Sequence, residues 1–553
     1  MLDYIIRRDP KTNEEWIETE LTGKALLSTF LLNKGTAFSY EERCELGLLG
    51  KLPQKIEILE EQVLRAYRQY KRYRSPLQKH IYLNNMHDKN EVLFYRLISE
   101  HIIEMLPIIY TPVVSLAVQS FSQEFRQPRG LYIAFPDQDK IKSILENRTH
   151  PEIKIIVVTD GERILGIGDQ GIGGIDIPIA KLMLYTICGG VNPYFTLPIF
   201  LDAGTNNPKL LKDPLYLGWR HPRVTGKDYD EFVAKFVDGI KLHFPKAFLH
   251  WEDFGRDNAK RILDTYQDQL CTFNDDMQGT GVVTLAALMV AFKRLNQPFS
   301  QQRFVIFGGG TAGVGIADQI TIALQHEGLT LNEARKRIWL IDKQGLLDRN
   351  MTNLTLSQML YARESEGGLS LKEVVEKVHP TVLIGCSGMG GVFSESIVQT
   401  MAKYTERPII FPLSNPTELS EANPADILNW TDGKAFVATG SPFGREFAQC
   451  NNLFAFPGIG LGLIAGQVRK LNQSILWRVV EILAESAPSD PNGRLLPDLS
   501  ETKQVAKRVA KAVIEQAKQE QLSDLNPLVD IDHIIDETFW EPYYRPIRLK
   551  KPI

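Results

Sequence analysis

The chain has 553 residues, 43% apolar and 24% charged, with a formal net charge of −4. That length exceeds one hydrophobic core and predicts three or four domains of ordinary globular composition, and the near-neutral charge with scattered Lys and Arg gives no footing to nucleic acid or an acidic membrane surface. Cys44, Cys188, Cys271, Cys386 and Cys450 lie far apart with no C-x-x-C, which excludes a zinc ribbon or a disulfide framework and fits a reducing cytoplasm.

In chain order, the acidic start (Asp3, Asp9, Glu14, Glu15) fits neither a signal peptide nor a transit peptide. Residues 1–128 read as a helical domain. Gln54 to Arg74 is charged and periodic, and Asn90 to Met105 places Phe94, Ile98, Ile102 and Met105 on one helix face. From Arg129 to Phe273, strands (Gly130–Phe135, Ile153–Thr159) alternate with helices such as Pro178–Cys188, where proline suits the first turn. Residues 276–451 read as a doubly wound α/β domain, with strands at Arg303–Phe307, Ile338–Ile341, Val382–Gly385 and Pro408–Phe411. The longest apolar run, Gly281 to Phe292, is too short to span a bilayer, so no membrane partner is expected. The last hundred or so residues are helical again. Val505, Val509, Val513 and Ala517 recur at helix spacing within Gln504–Gln519.

The chemistry concentrates between Leu249 and Thr280. Two apolar runs, Lys246–Trp251 and Gln269–Phe273, each give way to paired acids: Glu252-Asp253 and Asp275-Asp276. Ligands of an open α/β sheet bind outside the carboxyl ends of its strands. If the two strands are neighbours, four carboxylates converge there, and their repulsion requires a cation or a buried ammonium. Hard oxygen donors of this kind suit Mg²⁺ or Mn²⁺. Two acidic loops on a solvated rim are the plainer alternative.

Gly308, Gly310 and Gly313 form G-x-G-x-x-G after an apolar strand and before a helix from Val314 to Gln325. With Thr311, this places backbone N–H groups where a pyrophosphate binds. Asp342 ends the next strand and can bond a ribose hydroxyl, which favours NAD over NADP; Lys343 weakens that preference. Lys181 lies in a helix apolar nearly all round, so it is either a desolvated base of lowered pKa or a snorkelling surface lysine. Tyr110 is similarly open, since a tyrosine in Ile-Ile-Tyr-Thr-Pro is usually core with one satisfied hydroxyl. Arg163 can clamp a carboxylate or pair with Glu162 or Asp160. Asn415 ends a strand of the nucleotide domain, and Gly385-Cys-Ser-Gly-Met389 lacks the second glycine of a nucleophile elbow.

Tyr110-Thr-Pro112, Val157 to Asp169, Ile177 to Lys181, Glu252-Asp-Phe254, Cys271 to Thr280, Leu413 to Thr417, Ala438 to Phe443 and Phe456-Pro-Gly-Ile-Gly460 together resemble the ordered motifs of the malic enzymes. The likeness runs from about Gly23 to Arg545. It is strongest to the bacterial NAD-dependent branch, through Asp342 to Leu347 and Gln449 to Asn452.

The resemblance implies oxidative decarboxylation of malate to pyruvate. Glu252, Asp253 and Asp276 would hold the metal, Lys181 would be the base beside Asp275, and Tyr110 the acid. Arg163, Asn415 and Asn452 would hold substrate. Arg163, Asp276 and Asn415 would also touch NAD, beside Gly308, Gly310, Thr311, Gly313 and Asp342. It further implies a discontinuous catalytic domain (129–275 and 452–524), an NAD domain (276–451), a tail (525–553), and a homotetramer or homodimer.

Three departures stand out. Ser115 and Val118 replace the family's usual residues after Tyr-Thr-Pro. The loop between Phe443 and Gln449 is short. Lys89 stands where some relatives carry a second activator-site arginine beside the counterpart of Arg65; lysine lacks the bidentate fork. A malolactic-type conversion to lactate with tightly held NAD is the alternative activity, and a non-catalytic NAD-binding protein is the alternative from another class.

Overall fold

In a computed structural model, the described residues are 4–550 apart from 10, 13, 149, 151, 165, 365–366, 445 and 491–492. Leu165 of the Val157–Asp169 motif and Arg445 of the short loop therefore lie outside them.

Two parallel sheets organise the chain. The first has five strands in the order Leu131–Ala134, Thr196–Asp202, Ile155–Thr159, Phe248–Trp251, Thr272–Asn274. Parallel strands are covered on both faces, and all five residues of Ile155–Thr159 are buried accordingly.

The second sheet runs Gly345–Leu346, Ile338–Asp342, Phe304–Phe307, Val382–Gly385, Ile409–Pro412, Phe436–Thr439, Ala448–Gln449, parallel except for its first pair. Phe304–Phe307 pairs on one side with Ile338–Asp342 and on the other with Val382–Gly385. The chain order reverses between Phe307 and Gly385, so the crevice at their carboxyl ends is where a doubly wound sheet takes a nucleotide.

Helix Asp176–Gly189 is buried at every residue but Ile179, and it packs on helix Phe456–Ala465, which in turn packs on Thr502–Gln519. Close approach depends on small residues here. A Cβ on Gly460 would stand 2.4 Å from the Tyr185 ring.

The sequence reading is corrected in three places. The N-terminal region is not wholly helical: Tyr4–Arg8 and Glu15–Thr19 form a hairpin, joined by Ile547–Leu549 from the expected tail. These strands are half-exposed and irregular in pattern, and pairing with a distant segment leaves no local signal. The helix expected over Asn90–Met105 breaks at His101 into Glu91–Glu100 and Ile102–Ile109. Two segments, Ile102–Gln123 and Gly171–Gly189, do reach membrane-spanning length and hydropathy. The second is 94% buried inside the fold, as a core helix is, and the first is interrupted at Tyr110 between two short helices.

Candidate active site

Strands Phe248–Trp251 and Thr272–Asn274 lie side by side, with Leu249 opposite Thr272 and Trp251 opposite Asn274. Both acid pairs therefore leave the sheet at the same edge. Ligand oxygens of Glu252, Asp253 and Asp276 fall within 4.8 Å of one another, and all three residues are buried. The backbone is shaped to this end. Asp253 adopts φ 56°, a left-handed conformation that costs a non-glycine residue about 1–3 kcal/mol and persists where the surroundings over-determine it. Its N–H donates to Asp276 Oδ2 at 2.7 Å. Asp275–Gly279 forms a π-turn, a feature that recurs at functional sites.

Lys181 projects from its buried helix into these acids. Its Nζ lies 2.5 Å from Asp275 Oδ2 and 3.0 Å from Glu252 Oε1. It also lies 5.4 Å from the centre of the Tyr110 ring and 4.6 Å from that of Phe456. At 2% exposure it does not snorkel. Burial pulls its pKa down as the sequence suggested, but Asp275 and Glu252 outweigh burial, so the net displacement is well above the ordinary value. The lowered pKa expected from desolvation is thus reversed by partners that local sequence does not reveal. Burial, then mutual repulsion, pushes Asp276 well above the carboxylate range, and burial lifts Glu252 to about 7. Four carboxylates facing one ammonium are short of positive charge, and an oxygen-rich, buried trio of acids fits a divalent cation.

Asn452 Nδ2 donates to Asp275 Oδ2 at 3.0 Å and to Thr280 Oγ1 at 3.0 Å. Tyr110 caps helix Ile102–Ile109, and burial raises the pKa of its phenol. Arg163 N–H donates to the Asp253 carbonyl at 3.1 Å. Its guanidinium reaches the glycine loop, 3.3 Å from where a Cβ on Gly310 would stand. The acids left open as its partners are engaged elsewhere: Asp160 Oδ2 accepts from Tyr229 at 2.6 Å, and Glu162 accepts from Asn258 at 3.1 Å. Asn415 Oδ1 accepts from Ser441 at 2.6 Å. Its carbonyl lies 3.1 Å from a Cβ built on Gly166, so loops of the two sheets meet there.

In the glycine loop, Gly308 has φ 118°, and a Cβ on Gly313 would stand 1.9 Å from the Gly308 carbonyl. Thr311 opens helix Thr311–His326, and its buried hydroxyl has no partner among the described residues. A buried donor at a helix N-terminus fits a phosphate oxygen. Asp342 Oδ2 accepts from Gln358 Nε2 at 2.8 Å and lies 3.4 Å from Arg256 Nη1. The π-turn packs directly on this helix, with the Met277 carbonyl 2.5 Å from a Cβ built on Gly315. The turn that carries Asp276 therefore joins the acid cluster to the helix that follows the glycine loop.

Sequence reasoning missed His250, Tyr185, Phe456, Gln358 and Arg256. His250 left one usable signal: it is two residues before Glu252 in a strand, hence on the same face.

Two family models match the chain: malic enzyme, N-terminal domain, over residues 87–267, and malic enzyme, NAD binding domain, over 277–518. The chain belongs to the malic enzyme family. It is 48% identical to an NAD-dependent malic enzyme of Vibrio parahaemolyticus, covering 95% of this chain and 96% of that one. It is 50% identical to one of Edwardsiella ictaluri over the same shares. Among solved malic enzymes, that of Entamoeba histolytica superposes with a TM-score of 0.56 at 22% identity, covering 89% of this chain and 90% of that one. An NAD-dependent malic enzyme of Thermotoga maritima gives 0.51 at 24% identity, covering 74% and 92%. These two show the shared fold.

One residue beside the site carries a stability test. Burial and then Asp160 push Glu162 up to about 7. A carboxyl raised in the fold gives stability that is complete below its unfolded value, near 4.5, and lost as pH rises through about 7. Glu162→Gln removes the ionised form, so its thermal midpoint should exceed the parent's at pH ~8 and nearly match it at pH ~5. An equal difference at both pH values would contradict this.

Proposed function

We propose that the chain oxidatively decarboxylates (S)-malate to pyruvate and CO₂ with reduction of NAD, in the presence of Mg²⁺ or Mn²⁺. The observation that carries this is the Lys181 ammonium buried between Asp275 and Glu252, at the rim of a three-carboxylate cluster. Kinship to NAD-dependent malic enzymes at 48% identity points the same way.

Glu252, Asp253 and Asp276 would hold the cation. Gly308, Gly310, Thr311, Gly313 and Asp342 would hold the dinucleotide, with Arg163, Asp276 and Asn415 at its reactive end. When bound, these groups supply a hydride acceptor for malate C2 and a Lewis acid at its oxygens.

The remaining work belongs to side chains. With Glu252 and Asp276 committed to a cation, less negative charge faces Lys181, and its desolvation then favours the neutral amine. Lys181 takes the C2 hydroxyl proton while Asp275, itself held by Asn452, fixes the position of Nζ. Arg163 clamps the malate carboxylate, and Asn415 and Asn452 orient the substrate. After CO₂ leaves, Tyr110 delivers a proton to C3 of the enolate and is reprotonated by the Lys181 ammonium, whose Nζ lies 5.4 Å from the centre of its ring; desolvation keeps the phenol protonated until then. A homotetramer or homodimer in the cytoplasm completes this reading on family likeness.

The test is absorbance at the NADH band with malate and Mn²⁺, run with NAD and then NADP, with pyruvate and lactate assayed in parallel. NADH rising in step with pyruvate is the expected result. Lactate formed with no change in absorbance would replace this reading with the malolactic one.

A further inference from the structure

We propose that His250 and Tyr185 are positioning residues that fix the orientation of the Glu252 carboxylate for cation binding. This rests on the reading of Glu252, Asp253 and Asp276 as the cation's holders. His250 occupies strand Phe248–Trp251 two residues before Glu252, and its Nε2 lies 2.6 Å from Glu252 Oε2. The other ring nitrogen, Nδ1, lies 2.7 Å from the Tyr185 hydroxyl. When it holds a cation the Glu252 carboxylate is ionised and only accepts, so in that state Nε2 carries the hydrogen and the tyrosine donates to Nδ1. Tyr185, His250 and Glu252 thus form one line of hydrogen bonds, with 0%, 0% and 1% exposure.

The line is braced from outside. His250 meets Phe273 edge-on at 5.5 Å and Phe456 at 6.1 Å, and Tyr185 meets Phe456 at 4.8 Å. Gly460 lets its helix close against the Tyr185 ring, where a Cβ would stand 2.4 Å away.

The consequence falls on Glu252. One of its oxygens, Oε2, is taken by His250, which leaves Oε1 turned to Lys181 at 3.0 Å. Without His250, the carboxylate could rotate both oxygens toward the Lys181 ammonium and present a poorer donor to a cation. His250 itself is not a ligand in this arrangement. It does lie within 4.8 Å of ligand oxygens of Glu252 and Asp275, but both of its nitrogens are committed and Lys181 fills the place between those two acids. Partners that orient metal ligands are typically worth 10–100-fold in affinity.

The test reads Mn²⁺ binding rather than turnover, by the electron paramagnetic resonance of free Mn²⁺ titrated with the full chain in the absence of substrate. His250→Leu should weaken Mn²⁺ binding by ~10–100-fold. Tyr185→Phe should weaken it less, in the same direction. His250→Gln, whose amide N–H can still reach Glu252, should recover most of the loss. NADH binding, followed by its fluorescence, should be unaltered in all three, which a general packing defect would not allow. Native Mn²⁺ affinity in folded His250→Leu overturns the proposal. If that variant does not fold, native affinity in Tyr185→Phe overturns it instead. Glu252→Gln separates the two levels of the argument: if it too binds Mn²⁺ normally, the cation site is misplaced and not merely its support.

Discussion

Replacing Lys181 with alanine should lower kcat for malate oxidation by ~10²–10⁴-fold, the usual worth of a positioned base. The same change should act on stability. Lys181 is buried against Asp275 and Glu252, and removing one partner of a buried ion pair typically costs about 3–5 kcal/mol because the remaining charge is stranded. The cation-free variant should therefore melt well below the parent, and saturating Mn²⁺ should restore more of the difference than it adds to the parent. Calorimetry with and without Mn²⁺, alongside single-turnover hydride transfer, checks both halves. Near-parental turnover would remove Lys181 from the chemistry. A stability deficit indifferent to Mn²⁺ would place its charge outside the cation's reach.

Asp276→Asn separates stability from function in the opposite sense. Burial and the neighbouring Glu252 and Asp275 hold the Asp276 pKa well above its ordinary value. Its contribution to stability is present below the unfolded pKa, near 3.8, and is lost as pH rises toward the folded one. A negative charge at this buried position is therefore a burden on the cation-free fold. Asparagine retains an acceptor for the Asp253 N–H, which now donates at 2.7 Å, and removes the charge. The cation-free variant should thus be at least as stable as the parent at pH ~7–8. Saturation of the parent with Mn²⁺ at ~100 times its dissociation constant should add about 2.7 kcal/mol. The variant should lose that increment and its activity together. A full Mn²⁺-induced shift in melting would show that Asp276 is not a ligand. Stability is traded for charge at functional sites in this way.

Much of the site was legible because it follows short-range rules. A strand that ends in acids, a glycine loop between strand and helix, and an aspartate at the next strand end each announce themselves within a few residues. The pairing that brings Glu252-Asp253 beside Asp275-Asp276 was implied by the same logic and is present. The ionisation of Lys181 was not legible, since its decisive partner, Asp275, lies 94 positions away. Residues whose role is to hold others were also invisible. His250 looks like a core histidine until Tyr185, 65 positions earlier, is seen on its other nitrogen. Phe456 reaches the lysine from a helix that follows the nucleotide-binding sheet. In the N-terminal region, helical periodicity marks the helices but not where they end, as the break at His101 shows. The hairpin there has too little burial to imprint a pattern.

The three-stranded sheet also constrains how the molecule is made. Its middle strand, Glu15–Thr19, is bordered on one side by the first strand of the chain and on the other by Ile547–Leu549. Arg545 reaches back to Glu15 across 530 positions. During synthesis, then, strand Glu15–Thr19 waits with one edge unpaired until Ile547–Leu549 has been made, while the segments between them can fold in turn. An exposed strand edge is sticky throughout that interval. Pairing of Ile547–Leu549 closes this edge, so the contact ties together two segments far apart in the chain.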